Sequence, residues 1–328
     1  MRDVARLIDL ASPTEFYQTQ MLPRTFQQTA STGSGSKINL LMLRAYIAAG
    51  ASVPRSQLSR PYPGGHAEML KSGIFSPVVK CDVESLYPSL MLAERISPSS
   101  DELGVFLPML TELTARRRDA KARARTAEGA NRAVWSGLQS SFKVLINSFY
   151  GYLGFNRALF NDYDAAERVT LAGQALVKDV VRLLAARGAE PIEVDTDGVY
   201  FVPPPEIRGE DKEQAFVDQI GRELPFGVTL AFDGRYRAMV SLKIKTYALL
   251  DYDDRIALTG SALRSRRLEP VFRDFLEDAA RSLTLNDRNA VRDRYFDIAD
   301  AIQNRRLKPK QISRCAMLRS VTPSRLPR

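Results

Sequence analysis

Two cysteines, Cys81 and Cys315, and one histidine, His66, are all that this 328-residue sequence contains of either residue. That scarcity excludes a disulfide framework and a Cys/His zinc cluster, and it leaves no redundancy for a Ser-His-Asp triad. Any metal held by this chain must sit on carboxylates. Long apolar runs are also missing: nothing approaches the roughly 18–20 uninterrupted apolar residues of a membrane-spanning helix. The start, MRDVARLIDL, lacks the extended apolar region and cleavage site of a signal peptide. The expectation is a protein with no membrane partner, cytoplasmic and, in a bacterium, nucleoid-associated. Acidic residues are absent from Ala301 to Arg328, where eight basic residues stand alone, and between Ala115 and Arg132 seven basic residues face two acidic ones. The net charge of +9 is compatible with a polyanionic partner, although each basic run reads equally as a solvated helix face or tail.

With 45% hydrophobic residues the chain can bury a substantial core. No internal repeat is visible. The small-residue patch Ser31–Ser36, STGSGS, reads as a flexible loop, because its glycines and Lys37 do not fit GxxxxGK[ST]. INLLMLRAYIAAG reads as a helix ending at Gly50, and a turn-rich linker with Pro54, Pro61, Pro63, Gly64 and Gly65 follows. SPVVKCD is a short strand, which puts Asp82 at a strand-to-helix junction ahead of a helix from Ser85 to Ile96. Helical segments from Phe106 to about Thr126 and from about Asn131 to Tyr150, broken at Gly129, form a basic antiparallel hairpin. A third helix is expected to start with a capping box of Asp164 and Glu167, carry Val169–Leu184 and stop at Gly188. PIEVDTDGVYFV reads as two β arms around an Asp197-Gly198 turn, with Asp195 and Asp197 on one side by period two. Further strands in GVTLAF and AMVSLKIKTYALLDY precede charged helices from Glu269 onward. Strands and helices interleave without a βαβ repeat, so the expected fold class is α+β with an antiparallel β-sheet.

Asp82 and the pair Asp195/Asp197 are the acidic positions that suggest chemistry. A few aspartates near a phosphate-binding basic surface suffice for Mg2+, which takes its remaining ligands from water and substrate phosphates. Taken singly, an aspartate at such a place is more often local turn chemistry. On the basic hairpin, Arg117 and Lys121 share one helix face, and Lys143, Asn147 and Tyr150 share another. Arg116 and Arg118 offer neighbouring registers for the first face.

The string Asp82-Val83-Glu84-Ser85-Leu86-Tyr87-Pro88-Ser89 resembles motif A, DxxSLYPS, of the family B DNA polymerases. Lys143-Val144-Leu145-Ile146-Asn147-Ser148-Phe149-Tyr150-Gly151 is similar to their motif B, KxxxNSxYG, and Asp195-Thr196-Asp197 to the DTD of motif C. Tyr62-Pro63-Gly64-Gly65 looks like the family's YxGG element, and Lys245-Thr246-Tyr247 like its KxY element. The resemblance runs from about Tyr17 to Arg267. It implies an N-terminal segment and first part of a palm over 1–104, helical-hairpin fingers over 105–155, the rest of the palm over 156–263 and a short, mostly helical thumb over 264–328.

By this resemblance, Asp82 and Asp197 would bridge two Mg2+ ions, with Mn2+ as a substitute, the Val83 carbonyl as a further ligand and Asp195 in support. Ser85, Leu86, Tyr87, Arg117, Lys121, Lys143, Asn147 and Tyr150 would form the dNTP site, with Tyr87 under the sugar and opposed to a 2′-hydroxyl. Tyr62, Gly64, Gly65, Gly151, Lys245 and Tyr247 would touch primer-template DNA. A buried core tyrosine remains the alternative for Tyr87, and an exposed strand edge for Lys245. The implied activity is template-directed transfer of nucleotides from dNTP to a primer 3′-OH.

The chain as given begins near the polymerase part, so the further expectation is synthesis without proofreading and with weak processivity. Other replication proteins or a separate exonuclease subunit would then be partners. Gly198 stands where serine is commoner in the family, which suggests a looser turn. Two rivals remain at this point: a carboxylate-metal nuclease, and a catalytically silent DNA-binding or scaffolding module of a larger or split replication assembly.

Overall fold

A computed structural model describes residues 15–265 and 267–314. The chain packs as two units. One comprises the chain up to Gly65 with Val83–Leu176 and Glu223–Thr229; the other comprises His66–Asp82, Val177–Arg222 and the chain from Leu230.

The first unit is helical. Helix α1 (Ser34–Ala48) begins inside the STGSGS patch, which is therefore no loop: Gly33 caps the helix and Ser34–Ser36 form its first turn. A Cβ on Gly35 would stand 3.0 Å from the Phe155 ring, so a small residue lets the helix approach its neighbour. Helix α2 (Leu86–Ala93) starts one residue later than expected, because Ser85 takes the left-handed φ of 50°. Helices α3 (Phe106–Thr126) and α4 (Gly129–Leu153) form the expected hairpin, reversed at Gly129 with φ 53°. Their facing positions are apolar at helical spacing: Phe106, Leu110, Leu113 and Ala120 on one, Phe142, Leu145, Ile146 and Phe149 on the other. Each large side chain buried here contributes about 1.5–3 kcal/mol. Tyr152 closes the base of the hairpin, donating to Asn39 Oδ1 at 2.8 Å and accepting from the Phe160 amide at 3.2 Å.

Helix α5 (Tyr163–Ala186) is capped differently from the sequence reading. Asp162, not Asp164, accepts the Ala165 amide at 2.9 Å, and the Ser99 amide at 2.7 Å with its other oxygen. Asp164 and Glu167 instead both pair with Arg60. Burial alone would raise the Asp162 carboxyl, but these amide donors outweigh it and hold it below the usual carboxylate range. A carboxylate with a depressed folded pKa stabilises above its unfolded pKa, and that contribution disappears as pH falls through the folded value. Asp162→Ala should therefore cost about 1–2 kcal/mol near neutrality, read by urea unfolding, and less in acid.

The second unit carries the sheets. Strands β1 (Ala67–Met69), β3 (Val78–Val83), β4 (Glu190–Asp195), β5 (Gly198–Val202) and β6 (Leu230–Tyr236) form one sheet in the order β1-β4-β5-β3-β6. Strands β2 (Gly73–Phe75), β7 (Ala238–Lys243), β8 (Thr246–Leu250) and β9 (Ile256–Thr259) form another in the order β2-β7-β8-β9. The ladders β1–β4, β4–β5, β3–β5, β2–β7, β7–β8 and β8–β9 are antiparallel. Val78, Ile192 and Tyr200 of the first sheet pack with Met239, Tyr247 and Leu249 of the second. Helix α6 (Glu210–Gly221) lies against β6, its Gly221 facing Leu230. Helix α7 (Pro270–Thr284) covers β7 and β8 through Ala280, and helix α8 (Arg288–Gln303) follows it. The α+β expectation is borne out. Among the described residues no helix is long and apolar enough to cross a membrane. The opening residues and the basic run from Cys315 onward, both used in the sequence reading, lie outside the described residues.

Candidate functional site

Asp82 and the Asp195–Asp197 turn meet because β3 and β5 are neighbours. Asp82 lies opposite Gly198 in the β3–β5 ladder, and Gly198 lies opposite Asp195 in the β4–β5 ladder. Two carboxylate-bearing segments more than a hundred residues apart thus share one glycine. The turn itself differs from the sequence reading. Positive φ falls on Thr196, at 69°, whereas Gly198 is already the first residue of β5. Because the chain reverses at Thr196–Asp197, period two does not relate Asp195 to Asp197, and their surroundings diverge. The absent side chain at Gly198 has another use: a Cβ there would stand 2.9 Å from Asp82 Oδ1 and 3.0 Å from Lys80 Cε. The glycine thus leaves the Asp82 carboxylate room against the turn.

Asp195 is fully engaged. Its Oδ2 accepts from the Tyr247 hydroxyl at 2.9 Å and its Oδ1 lies 2.7 Å from Lys245 Nζ. Lys245 sits in the bend before β8 with φ 54°, not on the strand, and its ammonium also reaches Thr196 Oγ1 at 2.8 Å. Below it, buried Glu193 accepts from the Lys245 amide at 2.6 Å and from Ser241 Oγ at 3.1 Å. Tyr247 is buried, with its hydroxyl 3.1 Å from that of Tyr200. Burial pushes the Asp197 carboxyl above the usual carboxylate range and the Asp195 charge adds to this, while Lys80 and Lys245 oppose it. The Cys81 thiol, wholly buried beside Asp82, is pushed up to about 12 by that burial and is no nucleophile.

The donors fit a hard divalent cation. They are carboxylate oxygens without histidine or thiolate, and Asp82 already attracts an ammonium, Lys80 Nζ at 3.8 Å. No group of three His, Cys, Asp or Glu side chains forms a ready-made metal cage among the described residues. Two aspartates suit Mg2+, which keeps waters and takes substrate phosphates as ligands.

Within the helical unit, Arg117 and Arg116 have different partners. Arg117 Nη1 donates to Ser85 Oγ at 3.1 Å and Lys121 Nζ lies 3.3 Å from Glu84 Oε1, whereas Arg116 pairs with Glu112 on the outer face. Arg117 Nε is buried without a hydrogen-bond partner. On α4, Lys143 and Asn147 are exposed and Tyr150 is half-buried. The Tyr150 ring stacks on Tyr87 with centroids 4.1 Å apart, and its hydroxyl is 2.9 Å from Thr170 Oγ1. Gly173 of α5 makes room for Tyr87, since a Cβ there would stand 3.0 Å from the ring. Tyr62 is pushed up to about 12 by burial and by the neighbouring Tyr150. Gly64 accepts from Gln174 Nε2 at 2.7 Å, Gly151 faces open space, and Leu86 is buried. Val83 ends β3.

A family model described as DNA polymerase family B matches residues 96–200, which include both Lys143–Gly151 and Asp195–Asp197. The chain is 26% identical over 299 residues to DNA polymerase 1 of Pyrococcus abyssi (strain GE5 / Orsay), with 81% of this chain and 38% of the relative covered. The DNA polymerase of Thermococcus gorgonarius gives the same identity and coverage. The DNA polymerase alpha catalytic subunit of Oryza sativa subsp. japonica is 29% identical over 236 residues, 65% of this chain and 15% of the relative. The solved structure of the family B DNA polymerase from Pyrobaculum calidifontis has the same fold, with a TM-score of 0.71 at 20% identity over 93% of this chain and 43% of that one. The chain spans less than half the length of these archaeal relatives.

Sequence reasoning missed Glu193, Lys80, Asp233 and Tyr200 at the carboxylate site. Lys80 and Glu193 each stand two residues before a motif aspartate, so strand alternation could have flagged them. Asp233 carried no such signal, because its place beside Lys80 depends on β6 pairing next to β3.

Proposed function

We propose that this chain is the synthetic core of a DNA polymerase, transferring nucleotides from dNTPs to a primer 3′-OH on a DNA template. The observation that carries this reading is the Asp82 carboxylate lying against Gly198, beside Asp197, in a site with only hard oxygen donors. Asp82 and Asp197, with the Val83 carbonyl, are the residues that would hold divalent ions. Bound there, Mg2+ supplies Lewis acidity toward the primer hydroxyl and neutralises developing phosphate charge. Asp195 orients rather than binds: its two oxygens are taken by Tyr247 and Lys245, which leaves the Lys245 ammonium beside the turn as a phosphate-backbone contact.

On the helical unit, Arg117, Lys121 and Lys143 supply cationic donors for the triphosphate tail, and the buried Arg117 Nε holds a donor in reserve. Asn147 and Tyr150 shape the pocket for the new base pair. Tyr87, supported by the Tyr150 ring and by α5 at Gly173, is the sugar gate. Tyr62, Gly64, Gly65 and Gly151 are assigned to primer-template contact, and the fingers, palm and thumb divisions over 105–155, the flanking segments and 264–328 belong to the same reading.

Primer extension with Mg2+, template, primer and dNTPs decides among the alternatives. A polymerase lengthens the primer, a nuclease shortens it, and a DNA-binding module only shifts its mobility; either of the last two outcomes ends this proposal. Tyr87→Ala should raise ribonucleotide use relative to deoxynucleotide by roughly tenfold or more in single-nucleotide insertion kinetics. An unchanged ratio would remove the gate.

A further inference from the structure

Lys80 is the one lysine on β3, and the register of that strand sets it on the same face as Asp82. Its neighbours come from both flanking strands. On the β6 side its ammonium lies 2.5 Å from Asp233 Oδ2, and along its own strand it lies 3.8 Å from Asp82 Oδ1. On the β5 side it sits over the Tyr200 ring, 5.8 Å from the centroid. The stem is placed as firmly as the head: Lys80 Cε fills space that a Cβ on Gly198 would claim, at 3.0 Å. The Lys80 stem and the missing side chain at Gly198 therefore fit one another.

We propose that Lys80, anchored by Asp233, is a positioning residue of the carboxylate site, a built-in monovalent cation that holds Asp82 ready and competes with divalent ions for it. This rests on the reading of Asp82 and Asp197 as ion ligands. The chemistry is simple competition. A fixed positive charge within about 4 Å of a carboxylate opposes a second cation arriving there, and it lowers the electrostatic cost of keeping several aspartates together when no ion is bound. Asp233 sets the balance by drawing the ammonium away from Asp82: the Asp233 contact is the short one and the Asp82 contact the long one.

Two substitutions then act in opposite directions. Lys80→Met keeps the apolar stem and removes the charge, so Mn2+ should bind about fivefold tighter or more. Asp233→Asn releases the ammonium onto Asp82, so Mn2+ should bind weaker by a similar factor, while Lys80→Arg should stay near the wild-type value. Free Mn2+ measured by electron paramagnetic resonance during titration of the full chain, without DNA or nucleotide, reads all three, with circular dichroism confirming that each variant is folded. Opposite shifts in Lys80→Met and Asp233→Asn support the proposal. Wild-type or weaker Mn2+ binding in Lys80→Met overturns it. Asp82→Asn separates the two levels: if it abolishes Mn2+ binding while Lys80→Met changes nothing, only the role of Lys80 fails. If Asp82→Asn binds Mn2+ as the wild type does, the ion-site reading fails as well, and the proposal with it.

Discussion

Primer extension by Asp82→Ala and by Asp197→Ala is expected to fall by roughly three orders of magnitude or more, because under the proposed function each removes a hard oxygen donor from the ion site that would stabilise charge in phosphoryl transfer. The loss should be in the rate of insertion, not in DNA affinity. Duplex binding under the same proposal would rest on lysines and arginines spread over the surface, and neither aspartate contributes a positive charge to it. Electrophoretic mobility shift and rapid-quench insertion assays on the same preparations separate the two quantities. Extension at the wild-type rate by either variant would refute the ion-site assignment. Asp195→Ala should behave differently: Tyr247 and Lys245 lose the acceptor that holds them, while the donors at Asp82 and Asp197 stay in place. A milder loss of insertion rate than in the other two variants is the expected mark of a supporting residue.

Lys143→Ala carries the second large effect. Its side chain is exposed on α4, one turn before Asn147 and two before Tyr150, on a helix whose opposite face is anchored by Phe142, Leu145, Ile146 and Phe149. The backbone there is rigid and the ammonium is available to ligand. A charge-assisted contact to phosphate is worth about 1.5–3 kcal/mol, which corresponds to roughly 10- to 150-fold in dNTP efficiency. The loss should appear mainly as a raised KM for dNTP. Lys143→Arg should recover part of it, since a guanidinium still pairs with phosphate. An unchanged KM in Lys143→Ala would move the triphosphate contact elsewhere, with Arg117 and its unpartnered Nε the next candidate.

Much of this was legible before any coordinates. The α3–α4 hairpin showed in helical spacing and in Gly129, because a helix that must bury one face writes that face at every third and fourth residue. The motif aspartates stood out through their neighbouring strings. Other readings failed for identifiable reasons. STGSGS looked like a loop from composition, yet Gly33 could cap and Gly35 could pack against Phe155, and that contact is invisible in local sequence. Asp164 and Glu167 had capping-box spacing, but Arg60, about a hundred residues earlier, took both carboxylates and left the cap to Asp162.

The amino-acid sequence by itself determined that a metal here must rest on carboxylates, that the fold mixes helices with antiparallel strands, and which aspartates, lysines and tyrosines carry the family's motifs. Those are properties of residue type and short spacing, and they are written locally. Only the tertiary structure decided that Asp195 is occupied by Tyr247 and Lys245, that Arg117 rather than Arg116 turns toward Ser85, and that Lys80, Asp233 and Gly198 surround Asp82. Such contacts depend on which strands lie side by side and on the register between them, and register is a property of the whole sheet that no single segment encodes.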